Sequence, residues 1–219
     1  MSGHIITFYS FKGGVGRSMA AANVAVLLAR LGHKVLVVDW DLEAPGLHHY
    51  FKSYTDPGLF ANKKGVIDLL WQASENASTE PGIAAQGWRE VVITVVGEKM
   101  GAALDMILSG RRDPQYFGRV REFDLRSFYA DQNGLQIVEE LRRQWKEQYD
   151  FVLIDSRTGV TDYGGLCTIQ LPDVLVLLFT ANDQSLSGVI EVAEAARRVR
   201  KTAPVDRLAL LCLPVPSPI

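Results

Sequence analysis

Cysteine is nearly missing from this 219-residue chain: Cys167 and Cys212 are the only two, far apart and outside any Cys-x-x-Cys spacing. That excludes a disulfide framework and argues against a zinc or iron–sulfur site contained in one chain. Both read as small buried apolar residues. Long hydrophobic runs are missing too. None approaches the ~20 residues needed to cross a bilayer, and no basic segment followed by an apolar one opens the chain. Neither an integral membrane segment nor a secretory signal is expected, and the chain reads as cytoplasmic. A strong charge of either sign is absent, the formal net charge being −2, so any attraction for nucleic acid rests on local patches. There is no internal repeat and no low-complexity segment.

What is present is ordinary globular material, 47% hydrophobic and 22% charged, in a length that suits one domain with a substantial core. Apolar runs at 4–9, 34–38, 91–96, 151–154, 173–179 and 207–213 predict strands, with a further short one at 104–108. Most are continuous rather than alternating, as in parallel strands covered on both faces. Helical spacing predicts helices over 19–31 (stopped by Gly32), 66–73, 132–148 and 184–202. Another starts at Asp113-Pro114, with Asp as cap and Pro at the first position, and runs to about Phe123. Residues 47–65 and 74–88 read as loops. Strands alternating with helices give an α/β fold, a mainly parallel β-sheet flanked by helices on both faces. Ligands bind such sheets at the carboxyl ends of the strands.

Three polar clusters fall at those ends, at 11–18, 39–43 and 155–162. The first, Phe11-Lys12-Gly13-Gly14-Val15-Gly16-Arg17-Ser18, lies between a strand and a helix. Its glycines let successive backbone N–H groups turn towards one anion, and the helix N-terminus behind them adds partial positive charge. Arg17 brings a full charge, and the Ser18 hydroxyl is placed to ligate magnesium, which prefers few protein oxygens plus water and phosphate. Asp155 ends the apolar Phe-Val-Leu-Ile run in the manner of a Walker B acid, able to orient a metal-bound water. Asp39 faces the same edge, and Asp41, two residues on, is placed to hold an attacking water.

Lys12 to Ser18 resembles the deviant Walker A motif of the ParA/MinD family of P-loop ATPases, in the bacterial variant that carries Lys-Gly-Gly-Val-Gly-Arg. Val37-Val38-Asp39-Trp40-Asp41 is similar to switch I, and Leu153 to Gly159 to switch II. Residues 47–149 match only in outline. The resemblance implies a Mg2+-dependent ATPase with ATP or ADP bound along Lys12, Gly13, Gly14, Val15, Gly16, Arg17, Ser18 and Met19. Ser18, Asp39 and Asp155 support the metal in this reading, and Asp41 positions the hydrolytic water. Gly159 senses the γ-phosphate through its backbone. Lys12 reaches the nucleotide of a second copy, so ATP closes a homodimer and hydrolysis releases it, a switch read by a partner protein or an attached domain.

Two departures stand out. Arginine at position 17 replaces the lysine usual there, a compact point charge, with a longer planar fork; binding is therefore a firmer expectation than turnover. The Asn that reads adenine in the family is replaced by Leu213-Pro214, leaving Pro214 as a candidate backbone contact. The sequence is expected to be the N-terminal ATPase domain of a longer protein. A catalytically weak ATP-sensing module of a signalling or defence protein is the alternative. DNA positioning, as in the ParA branch, rests on Arg197, Arg198, Arg200 and Lys201; a basic last turn complementing the helix dipole, with Glu194 pairing to Arg198, is the preferred explanation of these.

Overall fold

The computed structural model describes residues 2–54, 57–76, 85–97, 101–131, 133–156, 165–202 and 209–217. Seven strands form one sheet: β1 (His4–Ser10), β2 (Val35–Asp39), β3 (Val92–Gly97), β4 (Ala102–Ile107), β5 (Phe151–Asp155), β6 (Val174–Phe179) and β7 (Leu211–Pro216). Their order is β3-β4-β2-β5-β1-β6-β7, parallel throughout except for the antiparallel β3–β4 pair at one edge. The helices are α1 (Arg17–Arg30), α2 (Pro57–Ala61), α3 (Val66–Glu75), α4 (Tyr116–Glu122), α5 (Leu125–Asp131), α6 (Gly134–Gln148) and α7 (Asp183–Thr202).

The continuous apolar strands have a direct cause. Leu36, Val38, Val152 and Ile154 enter a core shared with Ile137, Val138, Leu141 and Trp145 of α6. Their neighbours Val35, Val37 and Leu153 enter a second core under Ala21, Ala22, Ala25 and Ala29 of α1. A strand buried on both faces has no solvent side to make polar. The small alanines let α1 lie close against the sheet. Helix α7 covers the Tyr9, Leu175 and Leu177 positions with Val189, Val192 and Ala196.

Several boundaries differ from expectation. Asp113 does not cap a helix directly; its carbonyl accepts from Tyr116 N and its carboxylate from Gln115 N, a turn that delays α4 to Tyr116. Helix α5 was not expected, and the 47–65 stretch holds short helical turns at Leu47–Tyr50 and Lys52–Tyr54 besides α2. In the 74–88 stretch, α3 runs to Glu75 and a 3-10 turn spans Gln86–Val91; the residues between lie partly outside the described ones.

The last strand runs on through both prolines. Leu211 N and Ser217 N donate to Asp173 O and Phe179 O, so odd-numbered residues face β6 and Pro214 and Pro216 face outward. There the missing N–H leaves no ladder bond unmade, which is where an edge strand tolerates proline and resists a further strand.

Phe11, the non-glycine at the start of the loop, has a packing role. Its ring lies against Gly188 of α7, where an added Cβ would stand 2.1 Å from the ring. The contact pins the loop to α7. Gly188→Ala is expected to displace the ring and lower stability by about 1–3 kcal/mol; an unchanged thermal unfolding midpoint would show that Phe11 is free to move.

Candidate functional site

The three central strands end side by side. Asp155 of β5 lies in register with Phe8 of β1 on one side and Asp39 of β2 on the other. Trp40 N donates to Asp155 O at 2.9 Å, carrying the β2–β5 ladder one step past Asp39. Ser156 N and Oγ both bond Phe8 O, at 3.1 and 2.9 Å. The sheet thus delivers two aspartates to one place, rigidly.

The loop after β1 turns over this edge. Ser10 Oγ donates to Lys12 O at 2.9 Å. Gly14 and Gly16 have φ of 79° and 77°, the left-handed region that suits glycine. A Cβ on Gly13 or Gly14 would meet no atom within 4 Å, so these glycines border open space. Val15 is the opposite: it is buried in the core under α1 and anchors the loop. Lys12 and Ser18 are half-buried and Met19 is exposed.

Arg17 is the first residue of α1 and only 8% exposed. Its Nε donates to Asp155 Oδ1 at 2.6 Å and its terminal nitrogen to Asp41 Oδ2 at 2.7 Å. Burial works against the guanidinium charge, but the Asp155 and Asp41 carboxylates outweigh it and hold the arginine above its ordinary value. The carboxylates pay for this arrangement unequally. Asp39 is fully buried, accepting from Asp41 N at 3.3 Å and Leu47 N at 3.2 Å. Burial first, then repulsion from Asp155 and Asp41, pushes its carboxyl well above the usual range. Burial also raises Asp155, against the pull of Arg17 and of the nearby Ser18 hydroxyl. Its Oδ2 is buried without a hydrogen-bond partner.

These observations fit a divalent cation. Two adjacent buried carboxylates repel each other, one carboxylate oxygen is unsatisfied, and a hydroxyl stands beside them. Among the described residues no group of three His, Cys, Asp or Glu side chains could hold a metal alone. The fit is therefore to magnesium, bound through one or two protein oxygens, water and phosphate.

The structure brings Arg17, Ser18, Asp39, Asp41 and Asp155 together. Gly159 lies outside the described residues. Pro214 lies within β7, level with Leu177 and so with Tyr9, two strands from the loop rather than past a strand end. Sequence reasoning missed the residues that hold the 39–48 segment. Tyr116 OH donates to Leu42 O at 2.8 Å, and Ala44 N donates to Asp41 Oδ1 at 3.1 Å. His48 is buried 3.1 Å from the Arg112 guanidinium; burial, then His49 and Arg112, lowers its pKa to about 4. None of these has a sequence signal, because each pairing spans elements whose proximity only the fold creates. Cys167, read as bland, is buried within electrostatic reach of Arg17, Asp41 and Asp155.

Residues 6–210 match the family described as the CobQ/CobB/MinD/ParA nucleotide binding domain. The chain belongs to this family. Its fold is that of the MinD and ParA ATPases. The septum site-determining protein MinD of Pyrococcus horikoshii, solved with Mg-ADP, superposes with a TM-score of 0.63 at 20% identity, over 94% of this chain and 67% of that one. McdA of Cyanothece gives a TM-score of 0.66 at 18% identity, over 97% and 71%. Among curated relatives, an uncharacterized ATP-binding protein of Methanocaldococcus jannaschii is 25% identical over 202 residues, 91% of this chain and 62% of the relative. A cytosolic Fe-S cluster assembly factor of Chaetomium globosum is 27% identical over 209 residues, 90% and 55%. The chain thus spans less than two thirds of the length of either curated relative. No helix among the described residues is long and apolar enough to cross a membrane.

The raised Asp39 pKa has a stability consequence. The unfolded chain ionises Asp39 near pH 4, while the folded chain keeps it protonated to higher pH. Between those values the folded state binds more protons, so this residue's contribution to stability falls as pH rises. The difference in melting temperature between Asp39→Asn and the parent should move in the variant's favour as pH climbs from about 4. A difference flat with pH would mean that Asp39 ionises normally in the fold.

Proposed function

We propose that this chain binds Mg-ATP at the 12–19 loop, hydrolyses it slowly, and uses the nucleotide to drive dimerisation as a switch for a partner. The observation that carries the reading is the Arg17 fork between Asp155 and Asp41, set at the start of α1 behind the glycine turn.

In this proposal, backbone N–H groups from Gly13 to Ser18 and the α1 N-terminus hold the phosphates. Ser18, supported by Asp39 and Asp155, would hold the magnesium, which when bound would supply charge neutralisation on the phosphates. Arg17 can keep Asp155 through Nε while its terminal nitrogen exchanges Asp41 for a phosphate oxygen. That exchange frees Asp41 Oδ2 to orient water, while Ala44 N still holds Oδ1. An arginine serves the two partners from separate nitrogens held in a fixed fork, whereas a lysine has three rotatable donors on one nitrogen. Lys12 reaches towards the nucleotide of the second copy, Gly159 senses the γ-phosphate, and Pro214 offers at most a backbone contact to the base.

The same ion pair favours one second reading, a module that binds ATP and turns it over hardly at all. A triphosphate must displace Asp41 from a buried partner before water can be positioned. DNA positioning has less support, because Arg200 is turned inward to Pro172 O at 2.9 Å and to Ile169 O, leaving a thinner basic patch.

Nucleotide binding and phosphate release decide between these readings. Asp41→Ala is expected to keep Mg-ATP binding and to lower turnover by about 100-fold. Tight binding with no turnover in the parent would favour the sensing module, and no binding at all would sink both. Lys12→Ala should retain ATP binding but abolish ATP-driven dimerisation; full dimer formation by light scattering would refute the cross-subunit role. Arg17→Met should destabilise the fold by about 3–5 kcal/mol, because it strands two buried carboxylates, as thermal or urea unfolding will show.

A further inference from the structure

A cavity of about 540 Å3 lies beside the 39–43 segment. Trp40, Leu42, Val120 and Phe123 form apolar walls, and the exposed residues Glu43, Phe117 and Arg121 stand at its mouth. The volume is that of a small-molecule site, not of a packing defect.

Two features define what it would take. Trp40 is 2% exposed and its indole N–H is sealed inside the protein, out of contact with the cavity, so the Trp40 wall is apolar. The Arg121 guanidinium makes no ion pair or hydrogen bond among the described residues. An apolar hollow with one unpaired cation at the mouth suits an apolar body that carries one anionic group. Glu43 at the same mouth disfavours a second negative charge.

The cavity is also wired to the phosphate loop. One wall is Trp40, flanked by Asp39 and Asp41 and bonded through its N to Asp155 O. The other is α4, whose Tyr116 already clamps Leu42 O. A ligand wedged between them fixes the segment that sets Asp41 against Arg17.

We propose that this cavity is a regulatory site for a small aromatic or branched aliphatic acid, its anion at Arg121 and its apolar body against Trp40, Leu42 and Phe123, coupled to the nucleotide site through residues 39–43. The coupling rests on the ATP reading above; the ligand site does not.

The probe is 8-anilinonaphthalene-1-sulfonate, an aromatic body with one anionic group, titrated into the full chain by fluorescence. One saturable site per chain is expected, weakened about tenfold or more by Arg121→Glu and lost in Phe117→Asp. Both changes are at exposed positions, and unchanged melting curves will exclude unfolding. The Trp40 indole N–H resonance, identified by its absence in Trp40→Phe, should shift on addition. Binding without saturation, equal binding in both variants, or an unmoved Trp40 resonance would overturn the site. Mg-ATP should change the probe's affinity by about threefold or more, with the probe changing ATP affinity by the same factor. Independent binding of the two would overturn the coupling, whereas probe binding with no ATP binding would overturn the nucleotide reading and leave the ligand site in place.

Discussion

A cation in the first turn of a helix opposes the helix dipole, and a buried guanidinium opposes its own desolvation. Arg17 does both, and it is held there because β5 and the segment after β2 each bring a carboxylate to it. Most of the site depends on this meeting. Without Arg17, the aspartates at the sheet edge would form a buried acidic cluster with no compensating charge. With it, the loop, the helix and two strand ends are fastened into one unit before any ligand arrives.

The same interaction changes how the loop sequence should be understood. In the sequence, arginine is a departure from the usual lysine and a reason to doubt turnover. In the structure its fork spans two carboxylates on different elements, one from each of two nitrogens, where lysine would bring a single point charge. Phe11 undergoes a similar change of meaning. It breaks the strict glycine pattern, yet its ring needs the bare backbone of Gly188 to seat itself.

The site is also asymmetric. On the loop side everything is fixed by backbone geometry: the left-handed glycines, the buried Val15 and the start of α1. On the other side the 39–48 segment is gathered around Asp39, which accepts from both Asp41 N and Leu47 N and is braced from outside by Tyr116. An acid that carries a raised pKa is a costly hub.

The sequence by itself determined the parallel sheet, because strands buried on two faces must be apolar throughout. It also determined the phosphate-loop position, because glycine best serves the left-handed turns, and the placing of Ser18, Asp39, Asp41 and Asp155 at one edge. Local patterns that repeat over a few residues carry all of that. The pairing of Arg17 with two acids, the clamp of Tyr116 on Leu42 and the inward turn of Arg200 were decided by tertiary structure alone. So were the delayed start of α4 and the passage of β7 through Pro214 and Pro216, an outcome set by which edge of the strand faced a neighbour. Each depends on what stands across a gap of many residues, and hydrogen bonding and charge respond to that neighbour rather than to the residue's own type.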